Sequence, residues 1–187
     1  MTVYWNAPGV ENTEYTCRLA VERAAELGIE QIVVASNTGY TADFLLHKIS
    51  NLVVVTHQVG FREPGEDEMG SGKREELTKQ GVKIVTASHL FGNVDRAVSN
   101  KFGGLYPGGI VAHTLRTFGQ GTKVCMEIAV MALDAGAISY GKEVIAIGGS
   151  RRGADTAMVL TPEHAKDIFD TQVHELICKP RTGGDKR

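Results

Sequence analysis

The stretch Gln31-Ile-Val-Val-Ala-Ser-Asn-Thr-Gly-Tyr-Thr41 decides the reading of this chain. Residues 32–35 form a short apolar, β-branched run, the composition of a buried strand. The run passes through Ser36, Asn37, Thr38, Gly39, Tyr40 and Thr41 into a helix-like segment. At such a junction in an α/β sheet, backbone N–H groups and the helix dipole favour an anion, most often a phosphate. Hydroxyls add donors without bulk, and Gly39 lets the backbone approach closely or take a positive φ. The plainer alternative is a helix N-cap in a tight loop, since Ser, Thr and Asn are ordinary caps. One such residue would read as a cap. Four of them among the six residues 36–41 favour a phosphate cup.

The rest of the composition suits a soluble globular chain. With 187 residues there is enough length for one domain with a sizeable core. Apolar content is 42% and charged content 22%, both ordinary. A net charge of −2 argues against a nucleic-acid partner. No apolar run approaches the roughly 20 residues of a membrane span. The first six residues, Met-Thr-Val-Tyr-Trp-Asn, lack the basic and apolar regions of a signal peptide, so no membrane partner and a cytoplasmic location are expected. Cys17, Cys125 and Cys178 are scattered and odd in number, which suits buried or free thiols in a reducing compartment. A homo-oligomer is compatible with the sequence, which does not specify one.

Helical and strand patterns alternate from end to end. Helices are predicted over 13–27, 40–49, 73–80, 91–100, 110–116 and 122–135, and strands over 32–35, 52–56, 82–87 and 143–147. Segments 157–160 and 174–178 read as late strands, antiparallel at an edge. Residues 59–72 form a long glycine-bearing, acidic loop, expected to act as a mobile cover. Residues 181–187 look frayed. Strands separated by helices mean right-handed crossovers. The expected fold is therefore a single α/β domain over 1–187, three-layered, with a mostly parallel sheet and helices on both faces. Loops at the carboxyl ends of its strands would form the ligand site.

Four further loops could take part. The second predicted strand runs into Thr56-His57-Gln-Val-Gly60-Phe61, which puts His57 at a strand's carboxyl end. An ordinary loop histidine with one hydrogen bond is an equal alternative. The third strand ends at Ser88 and His89, where Ser88 could simply cap the next helix. The fourth ends in Gly148-Gly149-Ser150-Arg151-Arg152-Gly153, whose guanidiniums could grip phosphate or carboxylate bidentately. Phe118-Gly-Gln-Gly121-Thr122-Lys123 opens a helix. A lysine in the first helical turn opposes the dipole unless something negative lies nearby; a plain pair with Glu127 one turn later is the simpler account. Gly70-Ser-Gly-Lys73 is not a phosphate-binding P-loop, since position 67 is Asp, position 74 is Arg and no strand precedes it. The histidines and cysteines have no metal-ligand spacing.

Two segments resemble the regulatory C-terminal α/β domain of pyruvate kinase. They are Thr13-Glu-Tyr through Ala42, with its strand and Ser/Thr-rich loop, and Val144-Ile-Ala-Ile-Gly-Gly-Ser-Arg-Arg-Gly-Ala-Asp-Thr-Ala-Met-Val-Leu160. The catalytic barrel of that enzyme is absent, so the resemblance does not imply kinase activity. Thr56-His-Gln-Val-Gly-Phe61, with Ser36-Asn-Thr-Gly39, is closer to small stand-alone archaeal and bacterial proteins of the same fold. That resemblance implies flavin mononucleotide (FMN) as cofactor, its phosphate in the 36–41 cup, and an oxidoreductase role for the bound flavin. The resemblance to pyruvate kinase implies instead a non-catalytic sensor for a phosphorylated metabolite. A hydrolase or transferase using His57 or His89 as acid–base is the remaining reading. The cleft residues expected on these grounds are Ser36, Asn37, Thr38, Gly39, Tyr40, Thr41, Thr56, His57, Gly60, Phe61, Ser88, His89, Gly121, Thr122, Lys123, Gly148, Gly149, Ser150 and Arg151.

Overall fold

Apolar β-branched runs without a polar face can settle only where both faces are covered. Three such runs become the middle of a seven-stranded sheet in the computed structural model, which describes residues 1–181. The strands are β1 (Val3–Trp5), β2 (Gln31–Ala35), β3 (Asn51–Thr56), β4 (Lys83–Thr86), β5 (Val144–Gly148), β6 (Thr156–Thr161) and β7 (Gln172–Pro180). Their spatial order is β1-β7-β6-β5-β2-β3-β4. β5, β2, β3 and β4 are parallel neighbours, β1 is parallel to β7, and β6 runs antiparallel to both β5 and β7.

The pleat sorts the core into two layers. Ile32 and Val34 of β2 face one side with Leu52, Val54, Ile145 and Ile147. Helix α1 (Thr13–Leu27) lays Cys17, Ala20 and Ala24 on that side. Val33 faces the other side with Val53, Val55, Val144 and Ala146. Helix α6 (Gln120–Asp134) covers it with Cys125, Ile128, Ala129, Met131 and Leu133. Each large aliphatic side chain buried this way contributes about 1.5–3 kcal/mol. The short helices are α2 (Tyr40–Asp43), α3 (Ser71–Lys79), α4 (Asn93–Phe102) and α5 (Pro107–Arg116). α5 packs on α6, and α4 on α5. Asp95 in α4 caps α5 by accepting the N–H of Gly108 at 2.6 Å. All three cysteines are buried free thiols.

The expected α/β sheet with helices on both faces is what forms. Several boundaries differ for physical reasons. The helix expected over 40–49 ends at Asp43, because the next bonds tighten to three-residue spacing and His47 takes a φ of 61°, a conformation no α-helix continues through. The helix expected from 110 begins at Pro107, whose fixed φ and missing N–H suit the first helical position. The two late strands are indeed antiparallel neighbours, but they are internal to the sheet. The edge beside them is β1, three residues with too little pattern to be read from the sequence. The expected fraying of 181–187 falls, apart from Arg181, outside the described residues; Arg181 donates its N–H to the carbonyl of Trp5 at 2.9 Å.

The start of α6 lies unusually close to the sheet. A Cβ on Gly121 would sit 2.0 Å from Thr156 Oγ1, and one on Gly148 would sit 2.9 Å from the carbonyl oxygen of Gly121. Alanine is normally up to about 1 kcal/mol better than glycine inside a helix. Gly121→Ala should do the opposite, because overpacking typically costs about 1–3 kcal/mol. A urea unfolding curve checks this: the midpoint should fall, and a midpoint equal to or above that of the unaltered protein would show that the helix can back away from the sheet.

Candidate functional site

The chain leaves β2 first toward β3 and β4, then returns to place β5 on β2's other side. The strand order therefore reverses direction around β2, and a crevice opens at the carboxyl ends of the strands there. That crevice is a cavity of about 510 Å³. It is walled by the residues that follow β2, β3, β4 and β5 and by the first two turns of α6.

The 36–41 loop forms one wall through Ser36, Asn37, Thr38, Tyr40 and Thr41. Gly39 takes a φ of 89° at the start of α2, and its missing Cβ leaves room for the Lys73 stem, whose Cε would lie 2.7 Å away. Ser36 plays the capping part: its Oγ accepts the N–H of Thr41 at 3.2 Å and of Ala42 at 3.4 Å. Among the described residues, no protein acceptor takes the N–H groups of Asn37, Thr38 or Gly39. Ser36 is thus a cap, as the plainer reading of the loop had it.

His57 is held from both sides. Its backbone N–H donates to Asn37 Oδ1 at 2.9 Å, which fixes the amide so that Asn37 Nδ2 meets His57 Nε2 at 3.1 Å. Nδ1 meets Glu68 Oε2 at 2.5 Å. One tautomer satisfies both contacts: an N–H at Nδ1 donating to the carboxylate, and a lone pair at Nε2 accepting from the amide. The other Glu68 oxygen is 2.8 Å from Arg62 Nε. The His57 ring packs on Phe61 with centroids 3.8 Å apart and meets His89 edge-on at 5.1 Å.

Lys123 and Glu127 form an ion pair on the α6 wall, with side chains 9% and 6% exposed. Glu127 Oε1 also accepts the N–H of Phe91 at 3.1 Å, which ties the segment after β4 to α6. Burial, above all, depresses the basicity of Lys123; Glu127 opposes this, while Arg116 and Arg96 add to it. From the β5–β6 turn come Gly149, Ser150, Arg151, Arg152 and Gly153. The buried carboxylate of Asp155 shapes that turn, accepting from Ser150 N at 3.2 Å and Thr156 Oγ1 at 2.8 Å.

Of the residues singled out in the sequence, Ser36, Asn37, Thr38, Tyr40, Thr41, Thr56, His57, Phe61, His89, Lys123, Gly149, Ser150 and Arg151 line the one cavity. Six do not. Gly39 lies behind its loop under Lys73. Gly60 turns the 57–70 loop at φ 79° and donates to Glu66 O at 2.8 Å. Ser88 is exposed and caps nothing, because α4 begins only at Asn93. Gly121 and Gly148 provide the close contact of α6 with the sheet. Thr122 turns its hydroxyl back to Phe118 O at 3.3 Å. The cavity also takes Arg62, Glu68, Arg96, Arg116, Gln120 and Glu127. These lie inside loops and helices whose facing cannot be read along the chain; the available signals are the acidic run around Glu68 and the spacing of Glu127 one turn after Lys123. The loop expected to be a mobile cover reaches the cavity through Phe61, Arg62 and Glu68. Met69 is 1% exposed, and Asp67 pairs with Arg74 at 2.6 Å.

Burial is the chief reason that the basicity of His89 is depressed; His57, Lys123 and Arg96 add to this, while Glu127 opposes it. The unfolded chain then binds a proton at higher pH than the folded one, so stability must fall as pH drops below about 6.5. His89→Asn should flatten that part of the profile. Thermal unfolding of both proteins at pH about 7.5, 6 and 5 provides the check; parallel profiles would mean that His89 titrates as it does in the unfolded chain.

Comparison with known protein families agrees with this architecture. Residues 14–160 match the sequence profile of the family described as pyruvate kinase, alpha/beta domain. Among solved structures, a pyruvate kinase from Cryptosporidium parvum is 16% identical with a TM-score of 0.42, covering 79% of this chain and 22% of that one. The Cryptosporidium parvum enzyme in complex with ADP is 15% identical with a TM-score of 0.39, covering 88% of this chain and 23% of that one. The chain thus spans little more than a fifth of the length of these pyruvate kinases. On the match over residues 14–160, it belongs to the family of the pyruvate kinase alpha/beta domain.

Proposed function

We propose that the cleft binds a phosphate-bearing small ligand, and that this ligand is FMN. One observation carries the reading: the 36–41 loop lines the cleft, and the amides of its lining residues Asn37 and Thr38 lack protein acceptors, at the point where the sheet's strand order reverses. Amides clustered in a turn make an anion-binding concavity. This cluster is a better basis than the helix dipole, since α2 is only four residues long. Arg151 and Arg152 on the same cavity suit a dianionic ester. The 510 Å³ volume falls within the range of roughly 300–1,000 Å³ usual for ligand sites. The ring cluster of Phe61, His57 and His89 offers a flavin a stacking surface. A bound flavin would give the protein oxidoreductase chemistry.

A second reading has its own support. Much of the wall is charged or hydroxylated, with Arg62, Glu68, Arg96, Lys123 and Glu127 beside the threonines. That lining suits a polyhydroxylated phosphate ester as well as a flavin, and would make the protein a sensor of a phosphorylated metabolite.

Quenching of flavin fluorescence on titration distinguishes them. FMN should bind and riboflavin should bind more weakly. Thr38→Ala combined with Thr41→Val should weaken FMN by about 1–3 kcal/mol, or about 5- to 150-fold, while changing riboflavin little. Ser36→Ala should instead lower the unfolding temperature, since its hydroxyl caps the turn. If flavin does not bind and phosphorylated sugars raise the unfolding temperature, the sensor reading takes its place. If neither binds, the phosphate reading fails.

A further inference from the structure

Lys123 occupies an expensive position. It is 7% exposed, in the first turn of a fifteen-residue helix, on the wall of the cleft. A cation there opposes the helix dipole. Removing the Lys123–Glu127 pair from water costs several kcal/mol per ion, and apolar residues of similar volume commonly brace a helix as well or better. A structural brace alone therefore does not account for it. The surroundings do what a reactive amine needs. Burial and the charges of Arg116 and Arg96 weaken the hold on the ammonium proton, outweighing the opposing pull of Glu127. Glu127 is fixed by the Phe91 N–H at one oxygen and turns the other to Nζ, as an acceptor for that proton. A buried lysine with a perturbed proton affinity and a dedicated charge partner in a cleft is the pattern of a functional amine.

We propose that Lys123 is a nucleophilic amine that condenses with the carbonyl carbon of a phosphorylated aldehyde or ketone held in the cleft. The inference rests on the second reading of that cleft, in which a phosphorylated metabolite and not FMN occupies it. The Glu127 carboxylate takes one proton from the ammonium, leaving a neutral amine. The Nζ lone pair forms the C–N bond while the carbonyl π pair moves to oxygen, which takes the proton back from Glu127. A second proton moves from nitrogen through Glu127 to the hydroxyl, and the C–O bond breaks with loss of water as the nitrogen lone pair closes a protonated imine. The sum is ammonium plus carbonyl giving protonated imine plus water, with the carboxylate regenerated and nothing oxidised or reduced.

The test is reductive trapping. The full chain is incubated with glyceraldehyde 3-phosphate or with glyceraldehyde, reduced with cyanoborohydride, digested and mapped by mass spectrometry. With the phosphate ester, Lys123 should be labelled in preference to the exposed Lys79 of the same sample, by about tenfold for each pH unit that its amine titrates below an exposed lysine. Lys123→Met should abolish that label, and Glu127→Gln should slow it. The ratio within the unaltered protein needs no variant, so a variant that fails to fold does not blunt the test. Preference for Lys123 with both aldehydes equally would support the amine and overturn the phosphate reading. Labelling of Lys79 at or above the level of Lys123, in protein whose unfolding temperature a phosphate ester still raises, would overturn the amine and leave the phosphate reading in place.

Discussion

The cleft depends first on the burial of β2. Ile32, Val33 and Val34 have no exposed surface, so this strand must lie between two neighbours and under helices on both sides. The chain leaves it in both directions along the sheet, and its carboxyl end becomes the point where loops part. The 36–41 loop emerges there with its register set by β3 on one side and β5 on the other. Without the hydrophobic layers that fix β2, Ser36 would have no turn to cap.

Two carboxylates organise the rest. Glu68 joins His57 and Arg62, and Glu127 joins Lys123 and the Phe91 amide. Glu127 ties the segment after β4 to α6, and Glu68 ties the two ends of the loop after β3 to each other. A buried or half-buried carboxylate needs such partners, because desolvation is costly without them. The same requirement is met in the loop after β3: Glu68 and Asp67 both find cationic partners, and Met69 is buried in the core layer that also holds Leu77 of α3.

Much of the cleft was legible along the chain because it follows strands. Thr56 ends β3 and His57 and Phe61 follow it, while Gly149, Ser150 and Arg151 come immediately after β5, so a correct strand assignment places them at the correct edge. Glycines were the weak signal. Gly121 and Gly148 carry the same letter as a ligand-binding glycine, but what approaches them is the protein's own backbone and Thr156. The sequence shows that a Cβ is missing; only the fold shows what fills its place. The capping alternative for Ser88 does not hold for a related reason: a capping residue is recognised by the helix after it, and α4 starts only at Asn93.

By itself the sequence determined the alternation of strands and helices, the parallel core and the concentration of hydrogen-bonding side chains after β2. Those follow from local periodicity and from chemistry within a few residues. The tertiary structure decided which of those side chains share one cavity, that β6 alone opposes its neighbours on both sides, and that Lys123, Glu127, His89 and Phe91 converge. Register, helix rotation and the pairing of charges far apart in the chain depend on contacts between elements, and no local pattern encodes them.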